Sequence, residues 1–253
     1  MGTRIVVIGG SGLIGSKVVT KLQERGYEVV AASLNTGVNA VTGEGLARVM
    51  TGAEVIVDVL NSPSFEEKAV TAFFQATTTN LLRYAAEAGV GHYVALSVVG
   101  TDRFSENPYF RAKIVQEKLI RGSRTPYTIV RATQFFEFVA GIADSATEGN
   151  VVRLPPVDFQ PMAAEDVASA VTKAAMDKPV NGVVEVAGPE RFRFDELVRM
   201  SLSARGDQRQ VVADQKAQYF GAIPGEHSLV PVGESQLGEI RFQDWLSQAA
   251  VRA

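Results

Sequence analysis

Two hydrophobic patterns alternate along the chain. Short β-branched runs at residues 5–8, 28–32, 54–59, 92–97 and 127–131 have the length and composition of buried strands. Between them, apolar residues return at helical spacing over 13–25, 44–50, 65–88 and from Pro108 to near Gly122. In the first of these helices Leu13, Ile14, Val18, Val19 and Leu22 share one face, and Gly26 marks the end. Gly89 closes the third, and Asn107 and Pro108 supply an N-cap and a first helical residue for the fourth. A weaker strand is predicted at 38–41. This alternation predicts βαβ units around a parallel sheet, hence an α/β fold of the Rossmann type, doubly wound.

Past residue 132 the rhythm loosens. A helix is predicted over 134–145, a strand over 150–154, a helix over 165–176 and a strand over 183–187, followed by helices at 195–204 and 240–248. These pieces read as a small C-terminal α+β subregion on the substrate side, about 133–253, added to a core of about 1–132. No long polar linker or repeat divides the two, which predicts one domain over 1–253.

Composition narrows the function more than the fold. With 253 residues, 46% of them hydrophobic, the chain can bury a sizeable core. The net charge of −3 gives none of the positive field that nucleic-acid binding requires. The absence of cysteine excludes disulfides, thiolate metal sites and catalytic thiols. The opening apolar run is too short for a signal core or a membrane span, so the expectation is a cytoplasmic protein with no membrane association. His92 and His227 lack spaced partners, so no metal site is expected. There is no Gly-x-Ser-x-Gly elbow to support a hydrolase. Nothing in the sequence fixes an oligomeric state.

The chemistry starts at Gly9-Gly10-Ser11-Gly12-Leu13-Ile14-Gly15, between the first strand and the first helix. Gly9 permits a sharp turn, Gly12 lets backbone approach a pyrophosphate, and Gly15 lets helix pack on strand. The exposed N–H groups and the helix dipole there attract phosphate, which predicts a nicotinamide dinucleotide on Gly9, Ser11, Gly12, Leu13, Ile14 and Gly15. The residue that selects NAD or NADP belongs at the end of the second strand, where Ala32-Ser33-Leu34-Asn35-Thr36 offers no carboxylate for a ribose hydroxyl. Ser33 and Asn35 can donate neutral hydrogen bonds to a 2′-phosphate, so NADP is expected over NAD. Leu60 and Asn61, after the buried strand 54–59, are further expected cofactor contacts, although Asn61-Ser62-Pro63 also reads as a simple turn and cap.

Val7-Ile8-Gly9-Gly10-Ser11-Gly12-Leu13-Ile14-Gly15 resembles the opening of atypical short-chain dehydrogenase/reductases, the group that holds NmrA-like proteins and NAD(P)-binding epimerase relatives. Ala95 to Gly100, Tyr109-Phe110-Arg111-Ala112-Lys113, Arg131 to Phe136 and Val186 to Glu190 follow in that group's order, so the resemblance spans about 4 to 190. It implies that Tyr109 is the catalytic acid/base, that Lys113 supports it and reaches the nicotinamide ribose, and that Ser97 holds the reacting oxygen. Tyr109 and Lys113 stand four apart on one helix and so share a face, where the ammonium would lower the phenol's pKa. Gln134, Phe135 and Phe136 are expected to wall the substrate, with Phe138 enlarging an aromatic cluster that has helical core packing as its ordinary alternative. The function so implied is NAD(P)-dependent hydride transfer to or from a small carbonyl, quinone or related substrate. The alternatives are a non-catalytic NmrA-like redox sensor, and an epimerase or dehydratase of a sugar-like substrate.

Overall fold

The computed structural model describes residues 2–251. Seven strands form one parallel sheet: β1 (Arg4–Ile8), β2 (Glu28–Ala32), β3 (Val55–Asp58), β4 (His92–Val98), β5 (Tyr127–Ala132), β9 (Gly182–Ala187) and β12 (Gln236–Leu237). Their order is β12-β9-β5-β4-β3-β1-β2, so the chain reverses its direction of travel across the sheet beside β1. Side chains alternate between the faces of each strand, which is why these strands are apolar throughout. Ile5, Val7, Val55 and Val57 pack under α1 (Leu13–Gln23) and α6 (Ala164–Met176). Val6, Ile8, Ile56 and Ile129 pack under α2 (Leu46–Met50), α3 (Glu67–Ala88) and α4 (Pro108–Arg121). The fold is the doubly wound, Rossmann-type α/β architecture.

The remaining elements gather on a third cluster. They are β6 (Thr147–Glu148), β7 (Val151–Leu154), β8 (Asp158–Phe159), β10 (Phe192–Arg193), β11 (Gln210–Ala213), α5 (Val139–Ser145), α7 (Phe194–Ala204) and α8 (Phe242–Val251). Phe104, Phe110, Phe136, Phe159, Phe194 and Phe242 form its aromatic centre.

Two local expectations fail for identifiable reasons. Residues 38–41 are not a strand: Asn39 folds the segment back with its own side chain, accepting from Val41 and Thr42, and Gly37, Gly43 and Gly45 adopt positive φ. Asn80 of α3 then takes the carbonyls of Ala40 and Val41, which leaves β2 at the sheet edge. Nor does a continuous helix run over 134–145. Gln134 and Phe136 exchange backbone hydrogen bonds with Met162, so the chain stays extended until a 3₁₀ turn at Phe136–Phe138 leads into α5.

Candidate active site

The carboxyl ends of the parallel strands open into a cavity of about 940 Å³ that runs from the glycine turn to the third cluster. Such sheets bind ligands at this end, where the strand order reverses. Gly9, at φ 83°, makes the turn, and the N–H groups of Gly9 and Gly10 donate to the Ala32 carbonyl at 2.9 and 3.2 Å, joining the turn to the end of β2. A Cβ on Gly15 would collide with the Gly9 carbonyl oxygen, and one on Gly10 would stand 2.8 Å from Ala31 Cα. The turn therefore has no room for side chains on its packed side. On its open side Gly12 caps α1 with no side-chain acceptor, so the first-turn N–H groups of the helix face the region lined by Ser11, Gly12, Leu13 and Ile14. A bare helix N-terminus beside a side-chain-free loop fits a dinucleotide pyrophosphate. Gly15 lies behind this surface as a packing residue.

On the β2 side, Ser33, Leu34 and Asn35 line the cavity. The Thr36 hydroxyl oxygen accepts from Ser33 N–H at 2.9 Å, and the Ser33 hydroxyl is buried against this turn. Leu60 and Asn61 line the next stretch. Just beneath them is Asp58, a carboxylate with 1% of its surface exposed, which accepts from Leu60 N–H, the Tyr93 hydroxyl and Gln116 Nε2 at 3.1, 2.9 and 3.1 Å.

Asn107 begins α4 by accepting from the N–H groups of Tyr109 and Phe110 at 2.9 and 3.4 Å. The next turns carry Tyr109 and Lys113, and both reach the cavity wall. The Tyr109 hydroxyl donates to Asn61 Oδ1 at 3.1 Å. Lys113, 2% exposed, donates from Nζ to the Leu96 carbonyl at 2.9 Å and sits 4.3 Å above the Phe74 ring centre. Burial brings its ammonium down to about 8, against the opposing pull of the Asp58 and Glu117 carboxylates. The phenol of Tyr109 is not lowered as the sequence led one to expect: burial raises it.

Ser97 lies on the wall, but its hydroxyl hydrogen goes to Glu117 Oε1 at 2.7 Å. Glu117 in turn holds Arg131 in a two-point pair, Nε to Oε1 at 2.9 Å and Nη2 to Oε2 at 2.8 Å. Burial alone would raise the Glu117 carboxyl, yet Arg131 and Ser97 hold it below its ordinary value. In this arrangement Ser97 offers the cavity an acceptor and not the donor that the resemblance assigns to it.

After β5, Gln134 and Phe135 line the cavity as expected from the sequence. Phe136 does not: it is 1% exposed and packs on Phe242 and Trp245, at centroid distances of 5.1 and 5.6 Å. The 3₁₀ turn that replaces the expected helix rotates Phe136 into the core and puts Phe138 on the wall instead, stacked on Phe135 at 5.3 Å. Sequence reading also missed Asp58, Phe65, Tyr219 and Phe220. Asp58 had a signal, a lone acid in an apolar strand, whereas Tyr219 and Phe220 lie in an aperiodic loop with none.

Comparison with known proteins places this geometry among relatives. Residues 9–178 match the family model described as NAD(P)H-binding. The chain is 21% identical to the photosystem II assembly factor Ycf39 of Synechocystis, over 82% of this chain and 69% of that one. It is 25% identical to the divinyl chlorophyllide a 8-vinyl-reductase of Cucumis sativus, over 74% of this chain and 53% of the relative. In fold it is similar to an NADP complex of dTDP-4-dehydrorhamnose reductase from Bacillus anthracis, with TM-score 0.71, 13% identity and 100% and 99% of the two chains covered. It is likewise similar to the NADPH-dependent quinone oxidoreductase QOR2 of Escherichia coli, with TM-score 0.67, 15% identity and 97% and 99% covered. The chain belongs to the NAD(P)H-binding family.

Proposed function

We propose that this protein is an NAD(P)-dependent reductase in which Tyr109 supplies the proton. The observation that carries this reading is the meeting of Tyr109 and Lys113, from successive turns of α4, with the glycine turn in one cavity. The nicotinamide, when bound, supplies or takes up the hydride. The dinucleotide lies across the strand ends, its pyrophosphate on Gly9, Ser11, Gly12, Leu13 and Ile14, with Gly15 supporting from behind. Its adenosine ribose lies near Ser33 and Asn35. The lack of a carboxylate there supports NADP over NAD. Asn61 orients the Tyr109 hydroxyl, and Lys113 faces the ribose of the reacting half.

Burial raises the Tyr109 phenol, so at neutral pH it is protonated and can serve as a proton donor but not as a base. The Tyr109 hydroxyl would give its proton to the oxygen of a carbonyl or quinone that gains negative charge on reduction, and solvent would restore that proton. In a purified preparation, NADPH consumption with a carbonyl and quinone panel is expected to fall by about 10²–10⁴ in Tyr109→Phe while NADPH binding is retained. Equal consumption in both proteins contradicts the assignment. A second reading, binding of the dinucleotide without turnover, draws support from the commitment of Ser97 to Glu117. It predicts that neither protein consumes NADPH and that affinity differs between oxidised and reduced cofactor.

A further inference from the structure

Resting on the reductase reading above, we propose that the α4 end of the cavity is a ring subsite for a flat, uncharged, conjugated substrate, framed by Phe65, Tyr109, Tyr219 and Phe220. Three segments distant in sequence meet there. Phe65 stands 5.6 Å from Tyr109 and 5.6 Å from Phe220, the latter nearly parallel at 15°, and Tyr219 meets Phe220 edge-on at 4.9 Å. Phe65 is 52% and Phe220 38% exposed, so aromatic faces stand open beside the hydroxyl that would deliver the proton. Exposed aromatic surface of this kind favours the face or edge of another ring.

The Phe220 backbone shows that the arrangement is held in place. Its φ of 46° is unusual for a bulky residue, and Gly221 follows at 93°. Asn107, 1% exposed, fixes the turn by donating from Nδ2 to the carbonyls of Tyr219 and Phe220 at 2.8 and 3.2 Å. The oxygen of that same amide caps the helix that carries Tyr109. One side chain thus sets both the proton donor and the ring wall.

Charge decides which substrates are excluded. Among the described residues lining the cavity, Lys113 and Glu137 are the charged ones. Lys113 donates to the Leu96 carbonyl, lies over Phe74 and faces the cofactor ribose, and Glu137 accepts from Ala164 N–H and Trp245 Nε1. The bare helix N-terminus accommodates one pyrophosphate, that of the cofactor. A substrate with its own diphosphate, such as a sugar nucleotide, finds no cation to pair with it.

The test uses coumarin, a neutral planar lactone, with binding read by equilibrium dialysis with and without NADPH, and UDP-glucose as competitor. Coumarin is expected to bind the wild type, to lose about tenfold in affinity in Phe65→Ala and in Phe220→Ala, and to resist displacement by UDP-glucose. Phe65→Leu, which keeps apolar bulk without a ring face, is expected to lose affinity as well. Affinity unchanged across these variants, or displacement by UDP-glucose, overturns the proposal. NADPH binding is titrated separately by its fluorescence: its absence counts against the reductase reading, while the coumarin arms still decide the ring subsite.

Discussion

At Lys113 a single ammonium is shared among a carbonyl, a ring face and a buried carboxylate. Its folded pKa of about 8 lies below the 10.5 of a free lysine, so between those values the unfolded chain holds the extra proton. This group's contribution to stability therefore rises with pH across that interval, whereas any contact made by its charge is lost as pH climbs through 8. NADPH affinity is accordingly expected to decline above pH about 8. In Asp58→Asn that decline is expected at lower pH, since the carboxylate that favours the charged form is gone. Gln116 can adapt, because its Oε1 has no partner and can accept from the new amide. Fluorescence titration of NADPH at several pH values measures the midpoint, and an unmoved midpoint in the variant contradicts the role given to Asp58. The sequence made Tyr109 and Lys113 legible through their spacing. It did not show where the charge points, because Leu96, Phe74 and Asp58 come from three other elements.

At the scale of elements, α4 is fixed to the sheet by Glu117, which binds Ser97 of β4 and Arg131 of β5 in one buried cluster, with Asp102 and Glu185 on the outer side of Arg131. Breaking a buried pair leaves an uncompensated charge, so Arg131→Met is expected to cost about 3–5 kcal/mol in chemical denaturation. The double variant Arg131→Met with Glu117→Gln is expected to recover much of that loss. A single-variant cost below about 1 kcal/mol contradicts the cluster's role, since that is the range of an exposed pair. Because Glu117 is held below its ordinary value, its share of stability is present above the usual carboxylate range and disappears as pH falls through the folded value. The strands and helices of the first 132 residues were legible because their periodicity is strong and their ends carry Gly26, Gly89, Asn107 and Pro108. Residues 38–41 and 134–138 were not, since hydrogen bonds from Asn80 and Met162, remote in sequence, decide their conformation.

Across the whole molecule, the sheet supplies a dinucleotide cradle at one end of the cavity and the C-terminal cluster supplies aromatic walls at the other. The cradle was readable from seven consecutive residues. The far wall depends on a loop, 214–228, whose placement follows from tertiary contacts to Asn107 and Phe65. The central claim is that the glycine turn holds the pyrophosphate of NAD(P)H, and Gly12→Ala tests it directly. Gly12 has φ −80° and ψ 179°, which alanine adopts without strain, while the added methyl would stand on the face open to phosphate, 3.3 Å from the Gly9 carbonyl oxygen. Fluorescence titration with NADPH is expected to show saturable binding to the wild type and at least about tenfold weaker binding to Gly12→Ala, roughly 1.4 kcal/mol. The melting temperature is expected to change by no more than about 3 °C. No binding to the wild type, or equal affinity in the two proteins, would contradict the account.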